Sequence, residues 1–167
     1  MRLPPLLPVD LSAAIANTGG ASERIELSPK VVLDTNVVLD WLVFRNPSCH
    51  LLRDKVVGGS VRWLASKAMG DELAHVLSRG VVDRWGPDHD MLWGEWQRHV
   101  LLLPDSTPES ARQLRCTDPD DQKFIDFALV HGARWLLSRD RAVLTLRKRA
   151  AVLGLAILTP EEWSRPV

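Results

Sequence analysis

The chain predicts an α/β domain of three layers, a central and mostly parallel sheet covered by helices on both faces. Three observations lead there. Short, continuously apolar runs at residues 31–33, 61–65, 100–103, 135–138 and 155–158 suit strands buried on both sides. Each run is separated from the next by helical spacing or helix-ending residues, which is the alternation of a parallel sheet with crossover helices. The chain has 167 residues, 46% of them hydrophobic, enough for the core of one domain.

Residues 1–29 read as an N-terminal extension, because Pro4, Pro5, Pro8 and the stretch "NTGGASE" interrupt any period, with at most a short helix near 11–16. The compact domain is expected over 30–163 and a tail over 164–167. After the strand at 31–33, helices are expected at 37–44 and 47–57, the second stopped by Gly58 and Gly59. The strand at 61–65 precedes Ser66, a natural cap for a helix running to about Arg79. A helix at 88–99 leads into the strand at 100–103. Residues 118–131 are expected to be helical and to end at Gly132, with His131 near the C-terminal cap. A strand at 135–138, a helix at 141–150 and a last strand at 155–158 complete the domain before Glu161, Glu162 and Trp163.

Bulk properties remove several classes of function. Lys+Arg and Asp+Glu number 21 each and the net charge is zero, so contact with nucleic acid must rest on a local patch or a metal. Cys49 and Cys116 lie far apart without a paired-cysteine motif, which argues against a zinc site or a disulfide framework. The Leu-rich start is broken by prolines and Asp10, so neither a signal segment nor a membrane span is expected, and the location expected is cytoplasmic. Most of the seven tryptophans, Trp63 and Trp135 among them, are expected in the core.

The chemistry lies in acids at strand ends. In sheets of this kind ligands bind beyond the carboxyl ends of the strands. Asp34 directly follows the first strand and Asp140 follows the fourth. Either could simply cap the next helix. Asp118, Asp120 and Asp121 form an acidic start to a helix, which the helix dipole favours on its own account. Glu72 is harder to explain locally. It lies along the apolar stripe of Met69, Leu73, Val76 and Leu77, and His75 and Val76 occupy the positions where a neutralising Lys or Arg would sit.

Were these acids to converge, each pair would repel by ~3 kcal/mol at ~6 Å and an effective dielectric of ~20. Folding then requires protonation or a cation. An all-oxygen donor set without His or Cys selects a hard ion, Mg²⁺ or Mn²⁺.

At these residues the chain resembles the PIN domain, the nuclease fold of many prokaryotic toxins of toxin–antitoxin pairs. The matching stretches, in order, are "VVLDTNVVL", "ASKAMGDELAHVL", "DPDDQKFIDFALVHGARWLLSRD" and "LAILTPEEW", covering residues 30–163. Within the family it is most similar to the toxin-component subgroup, the VapC-like ribonucleases. The resemblance implies metal-dependent hydrolysis of RNA phosphodiester bonds. It assigns Asp34 as the first acid and Glu72 as the helix acid. Asp121 corresponds to the third acid, with Ala128 and Gly132 following it at the family's spacing, and Asp140 to the fourth. Asp34, Asp121 and Asp140 would hold metal, with Asp118 an alternative ligand, while Glu72 would orient or deprotonate the attacking water. Asn36 and Ser138 match small polar supporting positions, although Asn36 could equally cap a helix. A cognate antitoxin protein and self-association, as a dimer, are further implications.

Arg139, Arg141, Arg147 and Lys148 make the region after the fourth acid locally basic and are candidates for RNA contact, or simply a solvated helix face. Two other readings compete. A phosphotransferase of the haloacid-dehalogenase type needs a second acid two residues after the first, where this chain has Asn36. A PIN-like module that binds RNA or an antitoxin without turnover is the alternative from a different class.

Overall fold

The computed structural model describes residues 28–106 and 114–165. The expected helix at 11–16, the rest of the extension through residue 27 and the last two residues of the tail lie outside the described residues.

Five parallel strands form the sheet in the order β3-β2-β1-β4-β5. They are β1 (Lys30–Leu33), β2 (Arg62–Ala65), β3 (Val100–Leu102), β4 (Trp135–Leu137) and β5 (Ala156–Leu158). β1 is central, and Val31 and Val32 are flanked by Trp63 and Leu64 of β2 and by Trp135 and Leu136 of β4. All of these but Trp135, which is half-buried, are inaccessible to solvent, as continuous apolar runs in a covered parallel sheet require.

Eight α-helices are present among the described residues. They are α1 (Thr35–Leu42), α2 (His50–Val57), α3 (Lys67–Ser78), α4 (His89–His99), α5 (Gln122–Val130), α6 (Arg141–Leu144), α7 (Arg147–Val152) and α8 (Pro160–Trp163). The chain steps outward from β1 to β3 and then returns to build β4 and β5 on the other side of β1. Right-handed crossovers in opposite directions place helices on opposite faces, which yields the three layers. Strand order reverses between β1 and β4, and that opens a crevice at their carboxyl ends.

Local chemistry sets most helix starts. Asp34, Ser66 and Asp88 cap α1, α3 and α4 through bonds to the amides of Val37, Met69 and Met91. Asn46 caps a short 3-10 turn over Pro47–Cys49 that leads into α2. Thr159 and Glu162 make a reciprocal capping box at α8.

Two helices differ from expectation. α5 begins at Gln122, not at Asp118, because the Asp118 carboxylate accepts the amide of Asp120 at 2.9 Å and closes a local turn in place of the first helical turn. The stretch 141–150 divides into α6 and α7 at Thr145, whose hydroxyl donates to the carbonyl of Ala142 at 2.8 Å.

The core is rich in aromatic side chains. Trp63 stacks between Trp41 and Trp96, with ring centroids 5.1 and 5.2 Å away. Trp135 meets Trp163 edge-on, while Trp85 remains on the surface against Phe44 and Arg84. Cys49 and Cys116 are free thiols. No helix among the described residues is long and apolar enough to cross a membrane.

Candidate active site

Asp34 takes its place from the sheet. Its amide donates to Leu137 O at 3.0 Å, which extends the β1–β4 ladder one step past Leu33 and sets Asp34 abreast of Ser138. The carboxylate is 2% exposed, and its two oxygens divide the work. Oδ1 caps α1 through the amide of Val37 at 2.9 Å. Oδ2 accepts the hydroxyl of Ser138 and the amide of Arg139. Asp34 is therefore both a helix cap and a member of the crevice. Burial pushes its carboxyl up to about 6, against the lowering effect of those three hydrogen bonds, and the charge of Asp140 adds to the rise.

Ser138, fully buried, also accepts the amide of Asp140 at 2.9 Å. Asp140 Oδ1 in turn caps α6 through the amide of Ala142 at 2.6 Å. One hydroxyl thus ties the carboxylate of Asp34 to the backbone of Asp140.

Asp121 occupies the cap position of α5 but makes no capping bond with its side chain. Its Oδ2 is buried and has no hydrogen-bond partner among the described residues. Burial raises its carboxyl to about 6, and the charges of Asp140, Asp118, Asp34 and Glu72 add to that rise. Asp34, Glu72, Asp118 and Asp140 therefore all act on Asp121, so the crevice gathers them into one electrostatic neighbourhood.

Glu72 is not left unpaired on its stripe. The hydroxyl of Thr35 donates to its Oε1 at 2.6 Å, and the ammonium of Lys123, from α5, meets its Oε2. Glu72 therefore joins α1, α3 and α5 across the mouth of the crevice. Sequence reasoning missed both partners. Thr35 was visible in the "DTN" triplet, whereas the Lys123 contact depends on two helices from different parts of the chain.

The basic candidates fall into two groups. Arg139 is committed to the fold: its guanidinium meets Asp40 and Glu161 and reaches the hydroxyl of Ser48 at 3.1 Å. Burial opposes its charge, but Glu161 and Asp40 outweigh burial and raise its pKa further. Arg147 forms a two-pronged pair with Glu162, at 2.8 and 2.6 Å. Arg141 and Lys148 are exposed on α6 and α7. Asn36 is exposed on α1 and does not cap it. His131 closes α5, as expected, and its ring meets the carbonyl of Pro104 at 2.9 Å.

The donor chemistry fits a hard cation. Asp121 Oδ2 is a buried carboxylate oxygen without a hydrogen-bond partner among the described residues, and the charges of Asp140, Asp118, Asp34 and Glu72 bear on its carboxyl. Among the described residues no three His, Cys, Asp or Glu side chains already form a ligating group, so the arrangement is a set of candidate donors and not a closed shell.

A parallel α/β sheet with acids crowded at its switch point defines a class of crevice suited to polyanionic ligands with a divalent ion. The family is specific. Residues 30–142 match the PIN domain, and the chain belongs to that family. Among solved structures, the fold is similar to a chain in the crystal structure of VapBC2 from Rickettsia felis bound to a DNA fragment from their promoter. That match has 14% identity and a TM-score of 0.54, and covers 77% of this chain and 98% of the other. A chain of FitAB bound to the IR36 DNA fragment matches with 16% identity and a TM-score of 0.47, covering 82% and 98% of the two chains. No curated protein sequence matches the chain significantly.

Proposed function

We propose that this PIN-domain protein is a divalent-metal-dependent endoribonuclease and the toxin of a toxin–antitoxin pair. The observation that carries the reading is Asp121, whose buried Oδ2 lacks a partner among the described residues while four further acids act on it. Asp34, Asp121 and Asp140 are the residues that would hold Mg²⁺ or Mn²⁺, with Asp118 at the same corner. A bound ion would activate water and offset charge on the phosphate. Ser138 fixes the orientation of Asp34 and the backbone of Asp140. Glu72, steadied by Thr35, accepts a hydrogen bond from the attacking water and orients it. Similarity to a chain of VapBC2 supports an antitoxin partner, and a dimer is the assembly proposed. The compartment proposed is the cytoplasm.

The test is cleavage of a mixed RNA pool with Mg²⁺ or Mn²⁺ by the wild type and by the Asp34→Asn and Asp121→Asn variants. Metal-requiring cleavage that disappears in both folded variants is the result expected. Cleavage that persists in both would remove the acids from the mechanism.

A second reading has one observation in its favour. The ammonium of Lys123 already neutralises Glu72, as it would in a PIN-like module that binds RNA or an antitoxin without turnover. Failure of Mg²⁺ and Mn²⁺ to raise thermal stability, together with silence on every RNA, would select it.

A further inference from the structure

A second cavity, of about 430 Å³, opens between the end of α1, the start of α2 and one side of α4. Trp41 and Met91 contribute apolar wall, and Arg45, His50 and Arg53 line it with potential positive charge. None of these three basic side chains forms a hydrogen bond or ion pair with another described residue. That is unlike Arg139 and Arg147, which are both committed to carboxylates. Among the described residues on the wall the single carboxylate, Glu95, is already engaged by Arg98 and His99.

The backbone here is held in an uncommon conformation. Arg45 has φ of 51°, the only non-glycine residue with positive φ among those described. A residue with a Cβ is strained in that region, where glycine is not. The next residue, Asn46, donates its amide to Asp40 O at 2.8 Å, and the Asp40 carboxylate holds Arg139, which in turn donates its amide to Asp34. The rim of the cavity is thereby joined to the acid crevice by three consecutive contacts. α2 returns from this rim to the start of β2, so its first turn, with His50 and Arg53, lies toward the carboxyl edge of the sheet.

We propose that this cavity is a nucleotide subsite for the RNA strand, in which Arg45, His50 and Arg53 receive a phosphate and the apolar wall receives the attached base. The inference rests on the nuclease reading and deepens it by locating part of the strand's path. A volume of this order accommodates one nucleotide unit, and unpaired guanidinium groups favour phosphate through two-pronged bonds. Arg45 lines the cavity from a strained backbone position, which a glycine would occupy without strain.

The experiment measures binding of a short fluorescein-labelled single-stranded RNA to the full chain in EDTA, where no metal-dependent turnover takes place, across a range of salt. The variants are Arg53→Glu, His50→Ala and Arg45→Gly, each checked for fold by circular dichroism. Arg53→Glu should weaken binding about tenfold or more, and each lost phosphate contact should reduce the salt slope by about 0.7. Arg45→Gly should bind RNA more weakly yet unfold at a higher temperature, a combination that a purely structural arginine does not produce. Unchanged affinity and salt slope in Arg53→Glu and Arg45→Gly overturn the proposal, as does a wild type with no affinity for RNA. Tighter binding of a polyglutamate peptide than of RNA, lost in the same variants, also overturns it and assigns the cavity to an acidic protein segment. RNA binding that the variants abolish, with no cleavage by the wild type in Mg²⁺ or Mn²⁺, sustains the subsite while ending the nuclease reading.

Discussion

Asp34 and Ser138 stand 104 positions apart in the chain and share a buried hydrogen bond where β1 and β4 run side by side. The bond is possible because the two strands are paired in register, so the residue after each strand faces the same crevice. Ser138→Ala should remove a bond to an ionisable group and leave the amide of Asp140 without its acceptor. A loss of about 2 kcal/mol at pH 8 is expected, read by urea unfolding. A loss below about 0.5 kcal/mol would mean that water replaces the hydroxyl without cost.

The raised carboxyls of Asp34 and Asp121 predict an unusual pH profile. Both titrate near pH 6 in the folded chain, above the ordinary value of 3.8. Between those values the folded state binds more protons than the unfolded one, so these groups reduce stability as pH rises through 6. The metal-free protein should therefore melt at a higher temperature at pH 5.5 than at pH 7.5. Asp34→Asn and Asp121→Asn should each flatten that trend, as should saturating Mg²⁺. A melting temperature that climbs between pH 5.5 and 7.5 in the metal-free wild type would contradict the assignment.

On the proposed metal-dependent reading, Lys123 and a divalent ion should compete for the same acidic neighbourhood. Replacing Lys123 by Met retains the aliphatic stem and removes the charge from Glu72. The metal-free variant should lose about 1 kcal/mol or less, since both partners are partly exposed. Its thermal stabilisation by Mg²⁺ should set in at lower ion concentration than in the wild type. An unchanged Mg²⁺ midpoint would show that Lys123 and the ion do not share Glu72.

Arg139 should behave as a keystone of the fold and not as an RNA contact. Arg139→Ala leaves Asp40, itself 8% exposed, without its cation and frees Glu161 and Ser48. A destabilisation of about 3 kcal/mol is expected by denaturant unfolding. Asp40→Asn, which retains a hydrogen-bond acceptor, should cost less. Equal stability of Arg139→Ala and wild type, with weakened RNA binding, would restore Arg139 to the substrate path.

The sequence by itself determined the sheet and its order of elements. Apolar runs long enough to be buried on both faces, separated by capped amphipathic stretches, leave few alternatives to a covered parallel sheet. It also exposed the acids, because Asp34 and Asp140 stand immediately after strands and Glu72 interrupts an apolar stripe. Local competition blurred the finer bounds: the Asp118 turn delayed α5, and the Thr145 hydroxyl divided α6 from α7. Only the tertiary structure decided what each charge faces. Lys123 reaches Glu72, Arg139 is enclosed by Asp40 and Glu161, and Arg45, His50 and Arg53 come to line one cavity. Spacing along a helix reports neighbours three or four residues away, whereas these partners meet because strands far apart in the chain lie in register and carry their helices with them.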